Sequence, residues 1–323
     1  MENTLLHFIH SYKPTIYKYS YINHEILTNV DQIFVINLKQ EHVKRNYLIR
    51  LFKQKKINFQ LIIVEPQIPE IYNQFVKHNE ITRSEFGCLV SHLYLLDYIA
   101  RRKINAIIFE DDIWLHKNFV EEWNALQMTR RFDFLLLGAC DFYFSKENYS
   151  RVSNKLYTMK HEKQLVYGAH ANFYSHNAAK FWLTFKLNQI EFFDKHYFYL
   201  FSQFPLTSGI VSPNLVLTDI SYSNNGHTYP LLSLKEREYY AKCFKQVNFH
   251  DYHVFYPLLF NQENLLQLIQ KYKNYEEIID EVLYVCFHNA EKEKEIKNRL
   301  DLSHLTIEDI RYITKGYDNQ RIR

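Results

Sequence analysis

Apolar residues come along this chain in short runs, each followed by a stretch in which they recur every three or four positions. Residues 33–38 (IFVINL) form such a run, and Val43, Tyr47, Leu51 and Phe52 then repeat at helical spacing. Residues 59–64 (FQLIIV) form a second run of the buried-strand type. Strand, helix and strand in that order predict a βαβ unit with a parallel sheet, closed off by Pro66 and Pro69.

Thr82 and Glu85 stand at the spacing of a capping box, in which hydroxyl and carboxylate each satisfy an otherwise orphaned backbone N–H. A helix is predicted from there to about Arg102. Residues 106–109 (AIIF) make a short strand that ends abruptly in Glu110, Asp111 and Asp112, and residues 132–137 make another that leads to Gly138 and Asp141. Residues 166–174 alternate loosely before a helical stretch at 177–186, so the α/β rhythm continues to about residue 220. Beyond Pro230 the chain turns charged and helix-forming, with Glu and Lys four apart as in residues 291–299. The expected organisation is an N-terminal extension (1–30), one α/β domain (31–229) and a helical C-terminal region (230–323), without internal repeats or low-complexity tracts.

Composition narrows the function classes. At 323 residues the chain can bury one large core plus a smaller appendage, and 47% hydrophobic against 23% charged residues marks a globular protein, not a disordered one. The 26 Tyr and 25 Phe belong mostly to that core, and any left on the surface suit stacking against sugar rings or bases. The net charge of +3 comes from well-mixed residues, and the densest basic group, Lys53, Lys55 and Lys56, closes a helix where cations complement the dipole. Nucleic acid is therefore not an expected partner. Cys88, Cys140, Cys243 and Cys286 lie far apart with no C-x-x-C pair, which points to a reducing compartment. Residues 1–30 lack the pattern of a signal peptide, and no apolar run approaches the roughly 18 residues of a membrane helix. The expectation is a soluble, cytoplasmic protein without a membrane span, open to peripheral membrane contact; the sequon at 148–150 is then a chance match.

The candidate chemistry starts from a shortage. Only six glycines occur, and none forms a G-x-G-x-x-G or G-x-x-x-x-G-K-[ST] loop, so a diphosphate would need its charge neutralised by something other than a backbone nest. A cation held by carboxylates does this, and Glu110, Asp111 and Asp112 sit at the carboxyl end of a strand, where open α/β sheets place ligands. Alternation along an extended backbone would turn Glu110 and Asp112 one way and Asp111 the other. The first two can then hold Mg²⁺ or Mn²⁺. Three adjacent like charges repel, which demands a bound cation or a nearby base. An acidic triplet also fits a solvated turn or a helix start. In the preceding helix Glu85, Cys88 and His92 share one face beside the small residues Gly87 and Ser91, so His92 reads either as a site residue or as a hydrogen-bonded core histidine.

Taken together, IFVINL with Lys44 and Arg45 after it, then residues 85–92 (EFGCLVSH), then residues 107–112 (IIFEDD) resemble glycosyltransferase family 25, which includes bacterial lipooligosaccharide galactosyltransferases and collagen galactosyltransferases. Fainter echoes follow at residues 167–171 with Ser175, at Phe193 and Asp194, and at residues 218–220. The resemblance spans about 31–225. It implies a single Rossmann-like, nucleotide-sugar-binding domain of the GT-A type with a mixed central sheet flanked by helices, a UDP-sugar donor and usually Mn²⁺. On that likeness Glu110 and Asp112 would form the metal-binding pair, Asp111 would hold ribose or a neighbouring group, and Asn37 and Arg45 would lie near the nucleotide. His92 would touch the donor or support Asp112. Gln40 in place of Arg, and Asn172 in place of an aromatic, depart from the family pattern and bear on donor and acceptor identity.

The implied reaction is transfer of galactose or another hexose to a hydroxyl of a glycan or glycosylated protein, with inversion at the sugar carbon and a carboxylate as base. Asp194, between Phe192, Phe193 and Tyr197, is the first candidate base and Asp141 the second. A helix-capping role is the plainer alternative for Asp194. His227 is a candidate third metal ligand or a solvated loop histidine, and His250 with His253 reads as structural. Two rival functions stand beside transfer: a catalytically silent family member acting as a glycan-binding or scaffold protein, and a metal-dependent phosphohydrolase, which would want more clustered carboxylates and histidines.

Overall fold

The computed structural model describes residues 2–64, 72–73, 75–76, 81–116, 118–139, 149–160, 166–212 and 214–218. The chain divides into two compact units, Met1–Asp219 and Ile220–Arg323. The second, with His227 and the helical region expected over 230–323, lies outside the described residues.

In chain order the first half holds α1 (Glu2–Ser11), β1 (Thr15–Tyr19), β2 (Gln32–Leu38), α2 (His42–Gln54), β3 (Phe59–Val64), α3 (Arg83–Arg102), β4 (Ala106–Phe109) and β5 (Ile113–Leu115). There follow α4 (Phe119–Thr129), β6 (Phe134–Leu136), β7 (Tyr149–Ser153), β8 (Leu156–Met159), β9 (Ala171–Tyr174), α5 (His176–Asn188), α6 (Phe198–Gln203), β10 (Ser208–Val211) and β11 (Val216–Thr218). Nine strands form one mixed sheet in the order β1-β3-β2-β4-β9-β6-β10-β8-β7, while β5 and β11 pair separately. The architecture is α/β, a large mixed sheet with helices on both faces.

The expected βαβ unit is present: β2 and β3 pair in parallel, Phe34 opposite Gln60, and β4 pairs in parallel on the other side of β2, Val35 opposite Phe109. The carboxyl ends of β2, β4 and β6 therefore emerge at one sheet edge. There β9, antiparallel to β4 and β6, begins, with Phe109 opposite Ala171 and Leu136 opposite Asn172. Residues 1–30, expected as an extension, contribute to this fold. Leu5 and Ile9 of α1 are buried in the core, and β1 adds an antiparallel edge strand, Thr15 opposite Ile63.

Side-chain alternation divides the core between the two faces of the sheet. On one face Ile108 of β4 joins the α3 residues Leu89, Leu93 and Leu96 and the α5 residue Trp182. On the other, Phe109 meets Phe52 of α2 and Phe119 of α4, and Trp123 of α4 lies against Phe173 of β9. Each such buried aromatic or branched side chain is worth about 1.5–3 kcal/mol relative to exposure.

The capping box at α3 forms as expected. Glu85 N–H donates to the Thr82 hydroxyl at 3.2 Å and Thr82 N–H to the Glu85 carboxylate at 2.6 Å. Two predicted strands are shorter than the apolar pattern. Residues 132–137 give only β6, because Asp133 is drawn off by the Ser175 and Thr207 hydroxyls at 2.5 and 2.6 Å. Residues 166–174 give only β9, because the chain turns before it at Gly168, whose φ of 135° a side chain would strain. The helix after β9 begins at His176, with the Ser175 side chain accepting from Ala178 N–H.

Candidate functional site

Alternation on the two sheet faces carries on past the end of β4. Ile108 faces α3, and Glu110 reaches the same helix; Phe109 faces α2, and Asp111 reaches that one. The three acids thus turn to different neighbours at the carboxyl end of a central strand, between β4 and β5.

Asp111 is buried and accepts from two donors, the Lys44 ammonium at 3.0 Å and the Asn37 amide at 2.8 Å. Asn37 in turn accepts from Arg45 Nε at 2.8 Å, and the Arg45 guanidinium donates to the Leu38 and Lys39 carbonyls. One chain of hydrogen bonds therefore ties the turn after β2 to the acidic triplet. Burial works against the Lys44 charge, but the Asp111 carboxylate, with Asp112 behind it, more than offsets this and holds the ammonium above its ordinary pKa. Lys44 is the nearby base that three adjacent acids require.

Glu110 faces α3. Cys88 and His92, one helical turn apart, both meet its Oε1: the thiol donates at 3.2 Å and His92 Nε2 lies at 3.1 Å. An ionised carboxylate can only accept, which assigns the imidazole proton to Nε2. Burial would raise the Glu110 carboxyl, yet the hydrogen bond from His92, together with that from the Cys88 thiol, lowers it below the usual range. Burial, then Glu110, push the Cys88 thiol well up, with Asp194 and Asp112 adding to the effect. The His92 ring is fully buried and stacks on Phe193, centroids 4.1 Å apart. His92 is thus both a core histidine and a partner of the acidic cluster.

Asp194 arrives from the turn before α6. Its carboxylate accepts from Gly168 N–H at 2.9 Å, and burial, followed by the charge of Glu110, raises its pKa against the stabilising donation from Gly168. It caps no helix; the residue before α6 is Tyr197. Asn172, fully buried on β9, donates to the carbonyls of Gly168 and Ala169 and to the Tyr197 hydroxyl, so it holds the loop on which Asp194 rests. His170 lies buried beside Glu110, and desolvation, only partly countered by that carboxylate, pushes its pKa down to about 4.

The structure therefore brings Asn37, Arg45, His92, Glu110, Asp111, Asp112 and Asp194 to one sheet edge. Asp112 is half-buried, and its charge bears on both Lys44 and Cys88. Asp141 and His227 lie outside the described residues. Sequence reading passed over Lys44 as a site residue, although the repulsion among three acids signalled some such cation. It passed over Cys88 as a partner of Glu110, although helical spacing set it beside His92. His170 was marked only as part of the echo at residues 167–171 and Asn172 only as a departure from the family pattern, and nothing local gave the contacts of either.

Residues 30–184 match the family model for glycosyltransferase family 25 (LPS biosynthesis protein). Over that span, just under half of its length, the chain is similar to glycosyltransferase family 25. A putative glycosyltransferase of Haemophilus influenzae (strain ATCC 51907 / DSM 11121 / KW20 / Rd) is 33% identical over 129 residues, 36% of this chain and 44% of that protein, so the match spans less than half of the relative's length. A solved glycosyltransferase involved in the glycosylation of the major capsid of PBCV-1 aligns with 59% of this chain and 94% of that one at 9% identity, with a TM-score of 0.33, too distant a likeness to inform the site. The matched span runs from just before β2 into α5 and so contains the acidic triplet and its partners on β2, α2 and α3, whereas Asp194 lies beyond it. Among the described residues no helix is long and apolar enough to cross a membrane.

Proposed function

We propose that this chain transfers a hexose, galactose being the first candidate, from a UDP-sugar to a hydroxyl of a glycan or glycosylated protein, with inversion. The observation that carries the reading is the division of labour among the carboxylates at the end of β4. Asp111 is neutralised by Lys44, while Glu110 and Asp112 both bear on the single thiol of Cys88.

Carboxylate oxygens are the hard donors that Mn²⁺ and Mg²⁺ take, so the donor set fits a divalent cation held by Glu110 and Asp112. When bound, such an ion neutralises a leaving diphosphate. The chain's own residues do the rest. Asn37 and Arg45 fix the turn after β2 against which the nucleotide would rest. Asp194, its pKa raised by burial, accepts the proton of the acceptor hydroxyl, and the Gly168 N–H keeps its carboxylate oriented. His92 holds Glu110 in place.

Asn172, which departs from the family pattern, has a structural task here, which supports reading it as part of the scaffold of the site. A screen of UDP-sugars for release of UDP, with and without Mn²⁺, tests the reading. One donor should be turned over, and the activity should vanish with chelator and in Asp112→Ala. Silence toward every nucleotide sugar would favour a glycan-binding or scaffold role instead.

A further inference from the structure

Glu110 belongs to two donor sets at once. One is the hard pair with Asp112 proposed above. The other is built by α3: Cys88 Sγ, His92 Nε2 and Glu110 Oε1 all lie within 4.8 Å of one another. Cysteine and histidine four apart on a helix present sulfur and nitrogen on one face, and the strand end supplies the oxygen opposite them. We propose that Cys88, His92 and Glu110 form a binding site for a thiophilic divalent cation such as Zn²⁺ or Cd²⁺, and that an ion held there takes Glu110 away from the Mn²⁺ pair.

Three observations support the site. A thiolate, an imidazole and a carboxylate make a mixed soft set that zinc and cadmium prefer and manganese does not. The present separations, 3.2 Å from sulfur to oxygen and 3.1 Å from nitrogen to the same oxygen, are close to the edge lengths that a tetrahedral ion of that class spans, so the side chains need little rearrangement. The set is also held before any ion arrives: His92 is clamped by its stack on Phe193, and Glu110 by both helix residues. Cys88 and Glu110 are not fully buried, which leaves an approach for the ion.

On binding, the thiol proton passes to solvent and the imidazole takes its other tautomer, with the proton on Nδ1. The oxygen that now accepts from Cys88 and His92 becomes a ligand beside them. The inference needs no glycosyl transfer to be correct, but its consequence does. If the chain is the transferase proposed above, Zn²⁺ inhibits it competitively with Mn²⁺, through Glu110.

The test is titration of the full chain with Cd²⁺ while following the ultraviolet thiolate-to-cadmium charge-transfer band, together with protection of thiols from N-ethylmaleimide by Zn²⁺. The wild-type chain should show the band and the protection. Cys88→Ser should lose the band and weaken binding by at least the roughly 10–100-fold that loss of even an outer partner costs a metal site. Asp112→Asn should keep it. Cys88→Ala serves as a second variant, with thermal unfolding to show that each protein is folded. A band that survives in both folded Cys88 variants, or no band at all, overturns the site. A band without turnover of any UDP-sugar leaves the site standing and the transferase reading fallen; turnover with Mn²⁺ but no cadmium band does the reverse.

Discussion

Lys44 Nζ lies 3.0 Å from Asp111 Oδ1, with only 4% and 10% of the two side chains exposed, and this buried pair joins α2 to the end of β4. Removing one partner leaves the other charge in a dry site, which is far costlier than losing the attraction alone. Lys44→Ala is expected to destabilise the chain by about 3–5 kcal/mol in urea unfolding, whereas Lys44→Met combined with Asp111→Leu should recover most of that loss. A double variant as unstable as the single one would show that the pair contributes through something other than charge burial.

Asp194 offers a separation of stability from activity. Its carboxyl is raised above the ordinary value, chiefly by burial, so the folded state binds more protons than the unfolded one between the two pKa values. Stability from this group is therefore gained as pH falls through the folded pKa and is diminished above it. Asp194→Asn keeps an oxygen to accept from Gly168 N–H but removes the ionisation. The variant should unfold at a higher temperature than the parent at pH 8, with the gap closing in acid, while turnover drops by about 10²–10⁴-fold. Thermal melts across pH, paired with UDP-release assays, decide it; undiminished turnover would exclude Asp194 as base.

His170 makes the opposite contribution. Desolvation lowers its pKa from 6.5 to about 4, so the unfolded chain takes up a proton in that range that the folded chain refuses. The stabilisation is complete above pH 6.5 and is lost as pH falls toward 4, amounting to about 3 kcal/mol. Denaturant midpoints measured from pH 7 to 4 should show this slope, and His170→Asn should flatten it.

Gly138, just past β6, is a position where only hydrogen fits. A Cβ there would lie 2.1 Å from His170 Nε2 and 2.6 Å from the Val216 carbonyl oxygen. The second contact is backbone and cannot swing away. Gly138→Ala is expected to cost about 1–3 kcal/mol or more by overpacking. An alanine variant with an unchanged unfolding midpoint would mean that β11 yields freely.

The elements were legible because their signals are local. IFVINL, FQLIIV and AIIF announce buried strands by composition, and Thr82 with Glu85 announces a helix start three residues apart. The shortening of the strands at 132–137 and 166–174 was not legible. Asp133 leaves the first for hydroxyls contributed by Ser175 and Thr207, and Gly168 ends the second by a backbone angle that apolar spacing does not encode. The pairing of β5 with β11 joins two strands of three residues each, too short to announce themselves.

By itself the sequence determined the strands β2, β3 and β4 and the helix α3 that frame the site, and that three carboxylates stand at a strand end in need of positive charge, because periodicity and repulsion act between near neighbours in the chain. Only the tertiary structure decided which partner each carboxylate receives. Lys44 is 67 positions from Asp111 and His92 is 18 from Glu110, and side chains so separated meet only when parallel pairing and two-faced packing fix which way every second residue points.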